Sequence, residues 1–132
     1  MIVTKQVHGA IQAAMVGDAT LTALVPSGQF GTWLEDETIF PHILFSISDS
    51  NRGVKSEVDL SMILTVDVWA KEKGESAVYD IRDALVTLLD RNPLTIASGD
   101  FVTPFYDSTD IAVLDDGITR NATISFLMIS GS

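Results

Sequence analysis

The chain holds two histidines, His8 and His42, and no cysteine. Without cysteine there are no disulfides, no thiolate catalysis and no Cys-based zinc sites. A histidine base needs a positioned nucleophile or acid partner, and neither histidine has one nearby in sequence. His8 lies beside apolar Val7 and His42 follows Pro41, so both read as surface or boundary residues. Carboxylates are numerous. Glu35-Asp36-Glu37, Asp107 with Asp110, and Asp115-Asp116 could hold a cation loosely. None of them has the Gly-bracketed ligand spacing of a calcium loop, and solvated loop charge is the simpler reading. Acid–base work by two carboxylates needs one of them buried. The candidates by alternation, Asp59 and Asp67, both fall on the wet face of a strand. Gly28-Gln29-Phe30-Gly31 has a glycine pair but lacks the lysine and the preceding strand of a phosphate loop. These patterns predict no catalytic, cofactor or metal site.

The elements that position these residues follow from periodicity. Val7, Ile11, Ala14 and Met15 recur at helix spacing after Thr4, and Gly17 suits a helix end. Asp18 then caps a shorter helix with Leu21, Leu24 and Val25 on its apolar edge. Strands are expected over Phe30 to Leu34 and His42 to Ser48. The clearest strand is Glu57 to Ala70, with Val58, Leu60, Met62, Leu64, Val66 and Val68 on one face. At that length it must project beyond the sheet or pair with more than one neighbour. A long helix is expected from Ser76 to Arg91, with Val78, Ile81, Leu85 and Leu88 as its buried stripe and Asn92-Pro93 as its stop. A short strand, Leu94 to Ala97, precedes a strand region from Phe101 to Leu114. That region is expected to break at Pro104 and at Asp107-Ser108-Thr109-Asp110, with Pro104 at an edge or bulge. Asp115-Asp116-Gly117 is a hairpin turn leading to the last strand, Ile118 to Ile129. The order α-α-β-β-β-α-β-β-β predicts one α+β domain over 1–132, a mostly antiparallel sheet with helices on one face.

Composition agrees with a single globular domain. The 132 residues are 46% hydrophobic and 20% charged, enough for one core. Eighteen acidic and eight basic side chains give a formal net charge of −10. That balance argues against general affinity for nucleic acid or for an anionic membrane surface. The longest near-continuous apolar run, Met62 to Val68, is far short of the ~20 residues of a membrane helix. The beginning of the chain has no apolar segment of the signal-peptide kind, so a soluble chain made in the cytoplasm is expected.

Several apolar side chains fall where water is expected. Ile63 and Trp69 sit on the polar face of the long strand, as do Leu127 and Ile129 near the C-terminus. Tyr79 and Val86 lie off the core stripe of the long helix. Such patches mark interfaces, unless the N-terminal helices cover that second sheet face.

The layout resembles the tail-completion family of long-tailed bacteriophages and prophages, also called tail terminator or head–tail joining proteins. The resemblance covers nearly the whole chain. It rests on the first helix followed by Asp18-Ala19-Thr20-Leu21-Thr22-Ala23-Leu24-Val25, on the strand entry Pro41-His42-Ile43-Leu44-Phe45, and on Leu64-Thr65-Val66-Asp67-Val68-Trp69-Ala70 leading into Ala77-Val78-Tyr79-Asp80-Ile81-Arg82-Asp83-Ala84-Leu85. The most telling segment is Asp116-Gly117-Ile118-Thr119-Arg120-Asn121-Ala122-Thr123-Ile124-Ser125-Phe126, an Asp-Gly turn, a Thr-Arg pair and a final strand. Asn121-Ala122 stands where a His or Gly is common, which leaves the strand reading intact.

The resemblance implies a structural, non-enzymatic virion protein assembled in the host bacterial cytoplasm and placed at the tail–neck region. It implies a ring, usually a hexamer, on the head-proximal end of the tail tube. The ring stops tube growth and offers the surface for the filled head. Its partners are then other copies of the chain, the tail tube protein and a neck or connector stopper protein, with genome DNA passing through the lumen and no membrane. An acidic wall would repel phosphates. Glu57, Asp59, Asp67, Asp115 and Asp116 are the lumen candidates, and no cofactor is expected. Arg52, Val54 and Lys55, in a loop holding two of the eight basic residues, are candidates for contact with a neighbour or the tube, or else an ordinary surface loop. Ile63, Trp69, Tyr79, Val86, Leu127 and Ile129 are further interface candidates, and Arg120 is a candidate for an ion pair in the ring. A different neck or tail component is the nearest rival. A small ligand-binding or enzymatic α+β domain would need a pocket of convergent polar groups.

Overall fold

A computed structural model of the chain describes residues 4–25, 30–31, 40–50, 61–71, 76–96 and 101–131. The order is α1 (Thr4–Gly17), α2 (Ala19–Leu24), β1 (Phe30–Gly31), β2 (His42–Ser50), β3 (Ser61–Lys71), α3 (Ser76–Leu89), β4 (Leu94–Thr95), β5 (Phe101–Val113) and β6 (Thr119–Gly131). This is the expected succession of elements.

Apolar spacing explains each helix. Val7, Ile11 and Met15 stand four apart along α1 and are fully buried, one stripe against the sheet. Asp18 separates α1 from α2. Its backbone is extended and its Oδ2 accepts the Leu21 amide at 2.9 Å, which satisfies one orphan donor of the short helix. In α3, Val78, Ile81, Ala84, Leu85 and Leu89 are buried. This helix stops at Leu89, two residues before the expected Arg91. Arg91 takes a left-handed backbone, φ 61°. The Asn92 amide donates to Leu89 O at 3.1 Å, and its side-chain Nδ2 donates to Leu88 O at 2.7 Å. Asn92 therefore closes the helix by capping its last carbonyls.

The strands form one six-stranded sheet in the order β1-β2-β3-β6-β5-β4. All pairings are antiparallel except β1 with β2. Central β3 pairs with β6 over its whole described length and with β2 from Ser61 to Trp69, so the long strand is paired on both sides over most of its length. Residues 57–60, expected to begin it, lie outside the described residues. Alternate residues Met62, Leu64, Val66 and Val68 are fully buried, as are Ala122, Ile124, Phe126 and Met128 on β6. They join the stripes of α1 and α3 in a single core. Both long helices thus pack on the same sheet face.

The strand after the third helix corrects one expectation. β5 runs unbroken through Pro104 from Phe101 to Val113, and the bulge sits at Asp107, between Tyr106 and Ser108. Pro104 O accepts the Arg91 amide at 2.7 Å, so the backbone of Pro104 faces away from β6. Its missing N–H costs the β5–β6 ladder nothing. The polar run from Asp107 to Asp110 reads as an interruption in one dimension, yet β6 continues opposite it and holds it in the sheet.

Candidate functional site

The sheet face turned away from the helices is zoned along the strands. At one end, Ile63 pairs with Leu127, which pairs with Phe105 across β5. Ile129 is one rung further, and Phe101 follows beside Gly131. Ile63, Leu127, Ile129 and Phe101 are 45%, 43%, 51% and 48% exposed. Ser46, Thr65, Ser125 and Ser108 form the next polar row. Then come Asp67, Thr123 and Asp110 in register. The Thr123 hydroxyl donates to Asp67 Oδ1 at 2.9 Å, holding that half-buried carboxylate on the sheet. Four residues separate Ile63 from Asp67, about 13 Å at ~3.3 Å per residue.

The other end of this face is closed by aromatics. His42 is buried between Phe40, with ring centroids 4.8 Å apart, and Trp69 at 6.3 Å. Lys71 Nζ lies 4.8 Å from the Phe40 ring centre. Trp69 is accordingly half-buried rather than free. His8 stacks on Phe45 at 4.6 Å on the helix side. The two histidines thus serve as flat packing surfaces on opposite faces of the sheet. Among the described residues no group of three or more His, Asp or Glu side chains could hold a metal ion. No described helix is long and apolar enough to cross a membrane.

The β5–β6 hairpin is built around Asp116. Its Oδ1 accepts the Ile118 amide at 3.0 Å and the Thr119 amide at 2.8 Å, while Oδ2 accepts the Thr119 hydroxyl. Those donors stabilise the anion. The Thr119 hydroxyl acts most, followed by the Thr119 and Ile118 amides, and the carboxyl is held down to about 2. Gly117 takes φ 76°, the left-handed turn position that glycine fills without strain. Arg120 lies on the helix side of β6, 7% exposed, and its Nη1 donates to Gly117 O at 3.1 Å. Asp115 is exposed at the tip. Val113, Leu114 and Ile118 are exposed around it, an apolar hairpin rim that alternation alone does not reveal.

On the helix side, α2 and α3 bound a groove of about 660 Å³. Ala23, Leu24, Ala84 and Leu88 contribute its apolar lining, and Asp18, Asp80 and Asp83 its carboxylates. Tyr79 is exposed on α3 beneath the Arg82 guanidinium, 4.9 Å from its ring centre, and Val86 is half-buried against the core. Of the residues singled out from sequence, the sheet brings Ile63, Leu127 and Ile129 together. It sets Asp67 apart from them and leaves Asp115 and Asp116 at the hairpin. Glu57, Asp59, Arg52, Val54 and Lys55 lie outside the described residues. Phe101, the hairpin rim and the helix groove were not foreseen. Phe101 could have been found from its place opposite the C-terminal strand.

No curated protein matches the chain in sequence. The fold is similar to that of a chain in the virion of a native gene transfer agent particle. The TM-score is 0.78 with 12% sequence identity, covering 98% of each chain. A family model, tail completion protein gp17, matches residues 9–130. With nearly its full length matched, the chain belongs to the phage tail completion protein gp17 family.

Proposed function

We propose that the chain is a structural virion subunit that forms a ring, a hexamer by family resemblance, on the head-proximal end of the tail tube. The ring ends tube growth and presents the surface to which the neck joins. One observation carries this reading: in a tail completion protein, a sheet has all its long helices on one face and leaves Ile63, Leu127, Ile129 and Phe101 open on the other. Such a patch on a small domain fits a neighbouring subunit. The acidic residues fit a second role. Asp67 and Asp110 lie about 13 Å along the strands from the apolar end, and Asp115 and Asp116 lie at the hairpin beyond. Facing a channel, together with Glu57 and Asp59, they would let DNA pass without gripping it. A solved ring with these carboxylates turned outward removes the lumen role.

Sizing the purified protein with and without tail tubes tests the main reading. Rings, formed alone or on addition of tubes, support it. A strict monomer that ignores tubes rejects it.

A further inference from the structure

The groove between α2 and α3 is not used by the open-face contact, because it lies on the helix side of the sheet. Its floor is apolar, with Leu24 and Leu88 half-buried and Ala84 buried. Its rim carries Asp18, Asp80 and Asp83. Asp18 is committed through Oδ2 to the α2 cap. Arg82 reaches Asp83 with two hydrogen bonds, 3.0 and 2.9 Å. Among the described residues, one guanidinium faces three carboxylates, which leaves two negative charges around an apolar floor. An occupant must therefore bring two cations with an apolar side chain between them.

Four of the five described cations are engaged near their own positions, and Lys5 stands singly and exposed at the start of α1. Arg82 meets Asp83, Arg91 lies 4.0 Å from Asp90, Lys71 sits over Phe40 and Arg120 braces the hairpin. Arg52-Gly53-Val54-Lys55 has the required pattern, two cations flanking one branched apolar residue. Its place in the chain suits an arm. Ser50 and Ser61 are register partners, and ten residues join them in the chain. Half of that length spans at most about 17 Å at ~3.4 Å per residue.

We propose that the α2–α3 groove of one subunit receives Arg52-Gly53-Val54-Lys55 of a neighbouring copy. The two cations lie against the acidic rim and Val54 against the apolar floor. The inference rests on the ring reading and names a second contact within it. Exposed ion pairs are individually weak, so the test reverses charges in pairs. One variant is Arg52→Glu with Lys55→Glu, and the other is Asp80→Lys with Asp83→Lys. Each is checked by circular dichroism for an unchanged fold and then sized over a range of concentrations.

Each variant alone is expected to need at least tenfold higher concentration to assemble than wild type. Mixed in equal amounts, the two are expected to recover assembly, since each loop then meets a groove of opposite charge. Recovery only when both reversals sit in one chain, and not in the mixture, means docking within a subunit and overturns the proposal. Wild-type rings with variants that assemble equally well overturn this contact and leave the ring reading standing. A wild-type monomer with and without tubes overturns both.

Discussion

Replacing Ile63, Leu127 and Ile129 together by threonine tests the open face as an assembly surface. Threonine keeps the branched β carbon that suits a strand and removes apolar area. Complete burial of such a side chain is worth about 1.5–3 kcal/mol. The three are 45%, 43% and 51% exposed in the subunit, so roughly half of that gain, about 1 kcal/mol each, is left for a contact to collect. Together they contribute about 3 kcal/mol per contact, or roughly a hundredfold in the association constant. The rigid-body costs of association are shared by both proteins and cancel in the comparison. Sedimentation equilibrium over a concentration series reads that constant, and thermal unfolding reads the subunit. A control separates assembly from folding. Ile124 is fully buried on the opposite face of β6. Its replacement by threonine buries a hydroxyl and opens space, costing about 2–4 kcal/mol of subunit stability, while association of the folded protein stays near wild type. A triple variant that assembles with the wild-type constant refutes the reasoning.

Three further predictions concern the subunit itself. Arg91→Gly relieves a non-glycine residue at φ 61° and is expected to raise stability by about 0.5–1 kcal/mol in urea unfolding. Asp116 has a lowered folded-state pKa, so its stabilisation is complete above the ordinary carboxylate range and is lost as pH falls through about 2. An NMR titration of its carboxyl should follow that window, and Asp116→Asn should remove the corresponding acid-dependent part of unfolding. Asp90→Ala removes the Oδ1 that accepts the Tyr106 amide at 2.8 Å. Hydrogen exchange at Tyr106 is expected to quicken, with the amides of β3 unchanged.

Local periodicity made most of the fold legible. The alternation from Met62 to Val68 and the stripe from Val78 to Leu85 each arise within one element, where spacing alone decides the face. Asp18 was equally readable, because capping is a local hydrogen bond. Residues whose state depends on a distant segment were harder. Asp107 bulges because β6 runs unbroken opposite it. Arg120 falls on the core face by alternation, yet its charge argues for water. The Gly117 carbonyl three residues away accepts from the Arg120 guanidinium and shows part of how burial is tolerated. The helix groove joins Asp18 to Asp80 and Asp83, residues no sequence spacing connects. Ile63 and Leu127 were legible one at a time, but their adjacency waited on the β3–β6 register.

The edges of the sheet bear on how such a subunit can assemble. An unpaired strand edge invites another strand and leads to open-ended polymers. Among the described residues one edge is β1 and the other is β4, each described over two residues. Next to β4, the exposed side of β5 is occupied from within the chain: Arg91 donates to Pro104 O, and Asp90 accepts from the Tyr106 amide. Pro104 has no N–H to offer, and the bulge at Asp107 breaks the register that an added strand would follow. Strand addition along this side is therefore obstructed over the first half of β5. The broad apolar surface lies elsewhere, on a sheet face, where contact geometry is set by side-chain shape. A contact of that kind between unlike patches turns each subunit by a fixed angle and can close into a ring. In the proposed ring, a subunit that added strands to its neighbours would extend the polymer the ring is proposed to end, so suppressed edge pairing is consistent with that reading.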